Sequence, residues 1–202
     1  RRFETGDGVK SADKLGDAAK PYSTYNRKLI ELQKKFNNDL WTHINPYTKL
    51  AYKDEPAIVL TEITNENDLF TYPRHAVKVE PYRTELKELY LDWAEKRNIK
   101  VSKNIHEFDP REDINIANFF IDITKSYYKE MISHMREIGV KIPIAGTNWT
   151  RNAAHLYAQL AGDFTDTHAY TSGGGGWRDG NGKFGNEPNV GTTNNLIPGL
   201  AF

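Results

Sequence analysis

The sequence predicts an α/β fold with parallel strands and flanking helices, in a single domain over residues 1–202. Apolar segments with helical periodicity alternate along the chain with short runs rich in β-branched residues, which is the order of a parallel sheet connected by helices. The strongest such run, residues 57–64 (AIVLTEIT), is almost continuously apolar, as expected of a parallel strand that is covered on both faces.

Three amphipathic helices are predicted from apolar residues at helical spacing. The first begins after Pro21 with Ser23 or Thr24 as its cap, the second spans residues 81–97, and the third spans residues 114–138, where Gly139 provides a C-terminal stop. Their apolar stripes are Leu29, Leu32, Phe36 and Leu40 in the first helix; Tyr82, Leu86, Leu89, Tyr90 and Trp93 in the second; and Ile116, Phe119, Phe120, Ile123, Tyr127, Met131 and Met135 in the third.

The segments around these helices complete the α/β order. Residues 72–74 are predicted to form a loop, residues 140–145 a second strand, residues 152–160 a short helix and residues 164–170 a third strand. Residues 172–199 are rich in glycine and lack periodicity, which predicts a long loop of the kind that is common at functional sites.

Polar residues follow the strongest strand directly, at Asn65 and Glu66. Side chains alternate along a strand, so Glu62 and Glu66 are expected on one face and Asn65 on the other. The carboxyl ends of parallel strands are where α/β barrels and open α/β sheets bind ligands. This pattern makes Glu66 a candidate catalytic carboxylate, whereas Glu62, in the middle of the strand, is expected to be a buried and hydrogen-bonded structural group.

Composition excludes several classes of function. Lys plus Arg and Asp plus Glu both number 27, so the chain offers no net positive charge for a nucleic acid partner. No apolar run has membrane-spanning length, which argues against a membrane partner. The absence of Cys excludes disulfides, zinc–thiolate sites and cysteine nucleophiles within the chain.

Three ordered motifs carry a family resemblance. The stretch THINPYTKLAYKDEPAIVLTEITNENDLF, then KIPIAGTNW and then DFTDTHAY, resemble the central part of clan A retaining glycoside hydrolases, near the family 5 cellulase and mannanase type. The resemblance covers roughly residues 21–170. It implies that the chain is part of a (β/α)8 barrel, truncated before the seventh strand, and that the protein is a glycosidase cleaving a β-linked glycan without a cofactor or metal.

The resemblance also implies a set of site residues. Glu66 corresponds to the general acid/base, and the nucleophile, a second Glu on the seventh strand, is expected outside this chain, so the chain alone is expected to be inactive. The other part of the barrel is then an expected partner, and an extracellular or periplasmic location is implied. The expected substrate-binding residues are Asn65, Asn148, Trp149, His168, Tyr170 and Trp177.

Two alternative functions stay open at this point. One is a noncatalytic carbohydrate-binding chain. The other is a metal-dependent hydrolase that uses Asp163, Asp166 and His168, although strand alternation puts Asp163 on the opposite face from the other two and makes this a poor site. Glu187 repeats the Asn-Glu dipeptide, but no apolar strand precedes it.

Further residues are expected to be structural. Trp93, Phe119 and Phe120 are core by their spacing. Asn148 begins a formal glycosylation sequon, which is discounted if the strand end is buried. Surface or satisfied structural roles are expected for His43, His75, His106, His134 and His155.

Overall fold

A short parallel sheet and the helices around it make up the described part of the chain. The computed structural model describes residues 4–15, 19–101, 108–149 and 152–167. None of the helices in these ranges is both long and apolar enough to cross a membrane. In chain order the elements are helix α1 (Arg27–Trp41), strand β1 (Thr61–Thr64), helices α2 (Pro73–Ala76), α3 (Tyr82–Glu95) and α4 (Ile114–Ile138), strand β2 (Ile144–Thr147) and helix α5 (Ala153–Gln159).

Strands β1 and β2 pair in parallel, in the direction that the apolar run predicts. A parallel pair needs a long crossover connection, and here helices α2, α3 and α4 lie in it. The paired positions are Thr61 with Ile144, Glu62 with Ala145 and Thr64 with Thr147. The carboxyl ends of the two strands therefore lie next to each other.

Both strands are shorter than predicted, and Pro143 explains why. The Thr61 N–H donates to the Pro143 carbonyl at 3.0 Å, but Pro143 has no N–H with which to extend the ladder further back. Strand β2 therefore starts at Ile144 rather than at residue 140, and β1 starts at Thr61 rather than at residue 57. Val59 and Leu60, expected in a covered strand, are 69% and 54% exposed.

Two further boundary predictions differ from the structure. Residues 72–74, predicted as a loop, run into helix α2, which has Pro73 in its first turn, where a missing N–H costs nothing. Residues 164–167 of the predicted third strand do not form a strand, and residues 168–170 lie outside the described residues.

Helix α1 begins later than predicted and turns a different face inward. Its cap is Asn26, whose side chain accepts the Leu29 N–H at 3.1 Å, while Ser23 and Thr24 lie in a preceding 3₁₀ helix. Of the predicted stripe, Leu29 is buried, Leu32 is half-buried, and Phe36 is 61% and Leu40 37% exposed. The buried positions of the second half are Asn37 and Trp41, because this end of the helix packs toward the cluster around the strands.

Helices α3 and α4 agree closely with the prediction. Helix α4 covers the predicted residues, with Asp113 as its cap and Gly139 in the left-handed conformation (φ 101°) at its end. Trp93, Phe119 and Phe120 lie in the core, as expected. The long helix α4 contributes to two hydrophobic clusters, one with α3 and the N-terminal segments and one with the strands.

Helix α4 and strand β2 are in unusually close contact at one point. A Cβ atom on Gly146 would lie 2.7 Å from the ring of Tyr128, closer than real Cβ contacts allow. Glycine at this position lets the helix lie directly against the strand.

A charged group on α4 fixes α1. Both guanidinium nitrogens of Arg27 and the Lys34 ammonium donate to the Glu130 carboxylate at 2.7 Å. The hydrogen bonds from Arg27 are the main reason that the pKa of Glu130 falls to about 2, and those from Lys34 lower it further.

We expect Glu130→Gln to lower the free energy of unfolding by about 0.5–1 kcal/mol at pH 7, a small value because these side chains are partly exposed. The folded-state pKa lies below the unfolded value, so the stabilisation is present above about pH 4.5 and is lost as the pH falls toward 2. Urea unfolding of the parent and the variant across this range measures the difference.

The matched control is Asp39→Asn, which breaks the exposed ion pair of Asp39 with Lys35 and should change stability much less. A Glu130→Gln deficit that is the same at pH 7 and at pH 2.5 would contradict the ion-pair explanation.

Candidate functional site

The candidate site lies at the carboxyl ends of β1 and β2. Asn65 and Glu66 follow β1, and Asn148 and Trp149 follow β2. The parallel pairing brings these two segments together, as the logic of strand ends predicts.

The side chain of Asn148 links the two strand ends. Its Nδ2 donates to Glu62 Oε1 at 2.8 Å and to Asn65 Oδ1 at 2.7 Å, while its Oδ1 accepts the Glu66 N–H at 2.8 Å. These partners fix which amide atom is oxygen, because both nitrogen protons meet acceptors. Asn148 is 3% exposed, so the sequon is buried as its strand-end position suggested.

The predicted distribution of side chains between the two faces of the strand fails at this point. Glu62 and Asn65 were expected on opposite faces, yet both accept from the same amide group of Asn148. The reason is that β1 ends at Thr64, and alternation holds only within the strand. Glu62 is hydrogen-bonded, as expected of a structural group, although it is half-buried rather than fully buried.

Glu66 has an unusual backbone conformation. Its φ is 47°, in the left-handed region that residues other than Gly, Asn and Asp seldom occupy. Such a conformation costs of order 1–3 kcal/mol and persists only where neighbouring contacts hold it, here including the bond from its N–H to Asn148. The side chain is half-buried.

A second polar layer, which sequence reasoning missed, lies behind Glu66. Asn67 is 1% exposed, and its Nδ2 donates to Ser23 Oγ at 2.8 Å. Asp68 is fully buried, and its Oδ1 accepts the Thr71 N–H at 2.6 Å. The run of four polar residues after the strand was the available signal, since buried polar groups are usually held by hydrogen bonds.

Aromatic rings lie near the site on the β2 side. Trp149, predicted to bind sugar, is half-buried, and its ring centroid lies 5.8 Å from that of Tyr72. Tyr72 in turn stacks on His75 at 5.4 Å. Tyr72 was not singled out from the sequence, because its aromatic neighbour is distant along the chain.

Several predicted residues lie outside the described residues, namely His168, Tyr170, Trp177, Glu187, His106 and the loop over residues 172–199. The other predicted structural histidines lie within them. His43 and His75 are exposed, His134 is half-buried with its ring 2.9 Å from the Lys34 carbonyl, and His155 is fully buried.

Asp163, one of the residues of the metal hypothesis, has structural partners. Asp163 Oδ2 accepts from the Arg136 guanidinium at 2.5 Å and from the Ile144 N–H at 2.8 Å, so it anchors the start of β2. Among the described residues, no group of three or more His, Asp or Glu side chains is arranged to hold a metal ion.

Comparison of the chain with protein-family models, with curated proteins and with solved structures finds no match.

We expect Asn148→Asp to lower the free energy of unfolding by about 2–3 kcal/mol at pH 7. The new carboxylate cannot donate to Glu62 or Asn65, and it adds a negative charge beside Glu62. Repulsion raises the pKa of the carboxyl pair in the folded state, so the loss should shrink as the pH falls from 7 toward about 4, the unfolded value. Chemical denaturation at several pH values measures this.

Asn152→Asp is the matched control, because the Asn152 side chain accepts the His155 N–H and aspartate caps a helix equally well. Equal losses at both positions would contradict the assigned role of the Asn148 donors.

Proposed function

We propose that this protein is a retaining β-glycoside hydrolase in which Glu66 is the general acid/base, and that β1 and β2 are two neighbouring strands of a (β/α)8 barrel. The observation that carries the proposal is the position of Glu66 at the joined carboxyl ends of two parallel strands, with its backbone held by Asn148.

The chemistry assigns a role to each neighbour. Retention needs one carboxylic acid to protonate the leaving oxygen and a second carboxylate to attack the anomeric carbon. Glu66 is the acid, and the resemblance places the nucleophile on another strand. Asn65 binds the sugar, most strongly in the transition state, and Trp149 stacks on a pyranose face. His168, Tyr170 and Trp177 complete the substrate site in this proposal.

A noncatalytic carbohydrate-binding role is the second candidate. It is favoured by the aromatic group of Trp149 and Tyr72 beside the site. Both candidates bind β-glycans, so only turnover separates them.

We expect Glu66→Gln in the full-length protein to lower kcat/KM by about 10²–10⁴-fold for β-glycosides with poor leaving groups, because these need a proton to depart. Activated aryl glycosides, such as dinitrophenyl glycosides, should lose far less. Kinetics with gluco, manno and galacto substrates measure this and identify the sugar.

Glu95→Gln, at the exposed end of α3, is the control and should leave both substrate types unaffected. Equal losses for poor and activated leaving groups would remove Glu66 from the acid role. Binding of β-oligosaccharides without turnover, weakened by Trp149→Ala, would support the noncatalytic alternative.

A further inference from the structure

A buried pair of an aspartate and a histidine adjoins the segment that carries Glu66. Asp68, two residues beyond Glu66, and His155 of α5 are both fully buried. Asp68 Oδ2 lies 3.9 Å from His155 Nδ1, which is too long for a hydrogen bond but within the range of an ion pair. A carboxylate without exposure to water needs such a partner, because an uncompensated buried charge is strongly unfavourable.

Helix α4 supplies the other ionisable group that interacts with Asp68. Burial raises the pKa of Tyr128 well above its usual value, and the Asp68 carboxylate and Tyr127 raise it further. Tyr128 therefore stays neutral. Within the described residues, His155 is a basic side chain within 4 Å of Asp68, and the two form an ion pair when the imidazole is protonated.

His155 contacts the same segment a second time, since its ring stacks on Phe70 at 5.5 Å between centroids. At the start of the segment, Asn148 holds the Glu66 N–H. Asn148 and His155 come from the end of β2 and from α5, the helix that follows it. Residues 66–70 are thus contacted at both ends by one stretch of the chain: Asn148 after β2 binds Glu66, and His155 of α5 contacts Phe70.

We propose that Asp68 and His155 are positioning residues for Glu66: their buried ion pair fixes the segment that holds Glu66 in its left-handed conformation. The effect of this positioning role on catalysis rests on the proposed glycosidase function. The pair does not touch the reacting atoms and acts only through the position of the Glu66 carboxyl group.

The test variant is Asp68→Asn, which retains the Oδ1 acceptor for Thr71 and removes the charge. In the full-length protein, kcat for poor leaving groups should fall at least about tenfold, with little change in KM or in the turnover of activated aryl glycosides. A merely structural role would reduce the amount of folded enzyme and lower both rates equally, and that outcome would overturn the proposal.

The double variant Asp68→Asn with His155→Gln removes both charges and should restore most of the lost rate, since neither partner then carries an unpaired buried charge. No rescue would overturn the ion-pair explanation. His134→Gln is the control, because His134 contacts the Lys34 carbonyl on α1 instead of this segment.

Amide hydrogen exchange supplies a readout that does not need activity. Residues 65–71 should exchange at least about tenfold faster in Asp68→Asn than in the parent, while α3 is unchanged. Unchanged exchange in this segment overturns the positioning role, whatever the kinetics show. The absence of a leaving-group effect in Glu66→Gln is a different result, and it overturns the glycosidase function. If Asp68→Asn does not fold, the variant with both Asp68→Asn and His155→Gln is measured instead. Residues 65–71 of this double variant should exchange at the rate of the parent, and faster exchange overturns the proposal.

Discussion

The arrangement of the candidate site depends on a single buried amide, the side chain of Asn148. Two parallel strands of four residues each supply only a short hydrogen-bond ladder, so their ends need further contacts. The Asn148 amide uses both of its protons and its oxygen across the gap between the strands. Because Asn148 is 3% exposed, the loss of any one of these bonds leaves an atom of its buried amide without that partner, which costs more than losing an exposed bond would.

Helix α4 supplies the support for these strands. It packs against β2 closely enough to require Gly146, and its residues belong to both hydrophobic clusters. The ion pairs of Glu130 attach α1 to the same helix. The polar site is therefore supported by a long amphipathic helix. The segment after β1 lies between this helix and α5, because Phe70 contacts Phe120 and His155.

The sequence predicts the helices better than the strands, and the physical reasons differ. A helix of 25 residues repeats its periodic signal many times, so the bounds of α4 are predicted correctly. In α1 the spacing is also periodic, but two faces are partly apolar, and tertiary packing selects the one with Trp41. The first residue of a strand depends on where its partner strand can begin to pair. For β1 this is set by Pro143, which is distant along the chain.

Some features of the candidate site are also predictable from the sequence and others are not. Strand-end logic picks out Asn65 and Glu66 after the first predicted strand, and the family resemblance adds Asn148; the structure brings all three together. The hydrogen bond between Glu62 and Asn148 and the pairing of Asp68 with His155 were not predicted, because they require knowledge of which helix covers which strand. Buried polar pairs have no periodic signature, so composition and spacing do not reveal them.

The left-handed backbone of Glu66 has a cost in stability that bears on any redesign of the chain. Glycine would occupy φ 47° without the steric cost that a Cβ imposes, so the fold itself favours Gly over Glu at this position. A redesign for thermal stability alone would therefore replace the glutamate and remove its carboxylate. In the proposed glycosidase, such a redesign would exchange the general acid for a more stable fold.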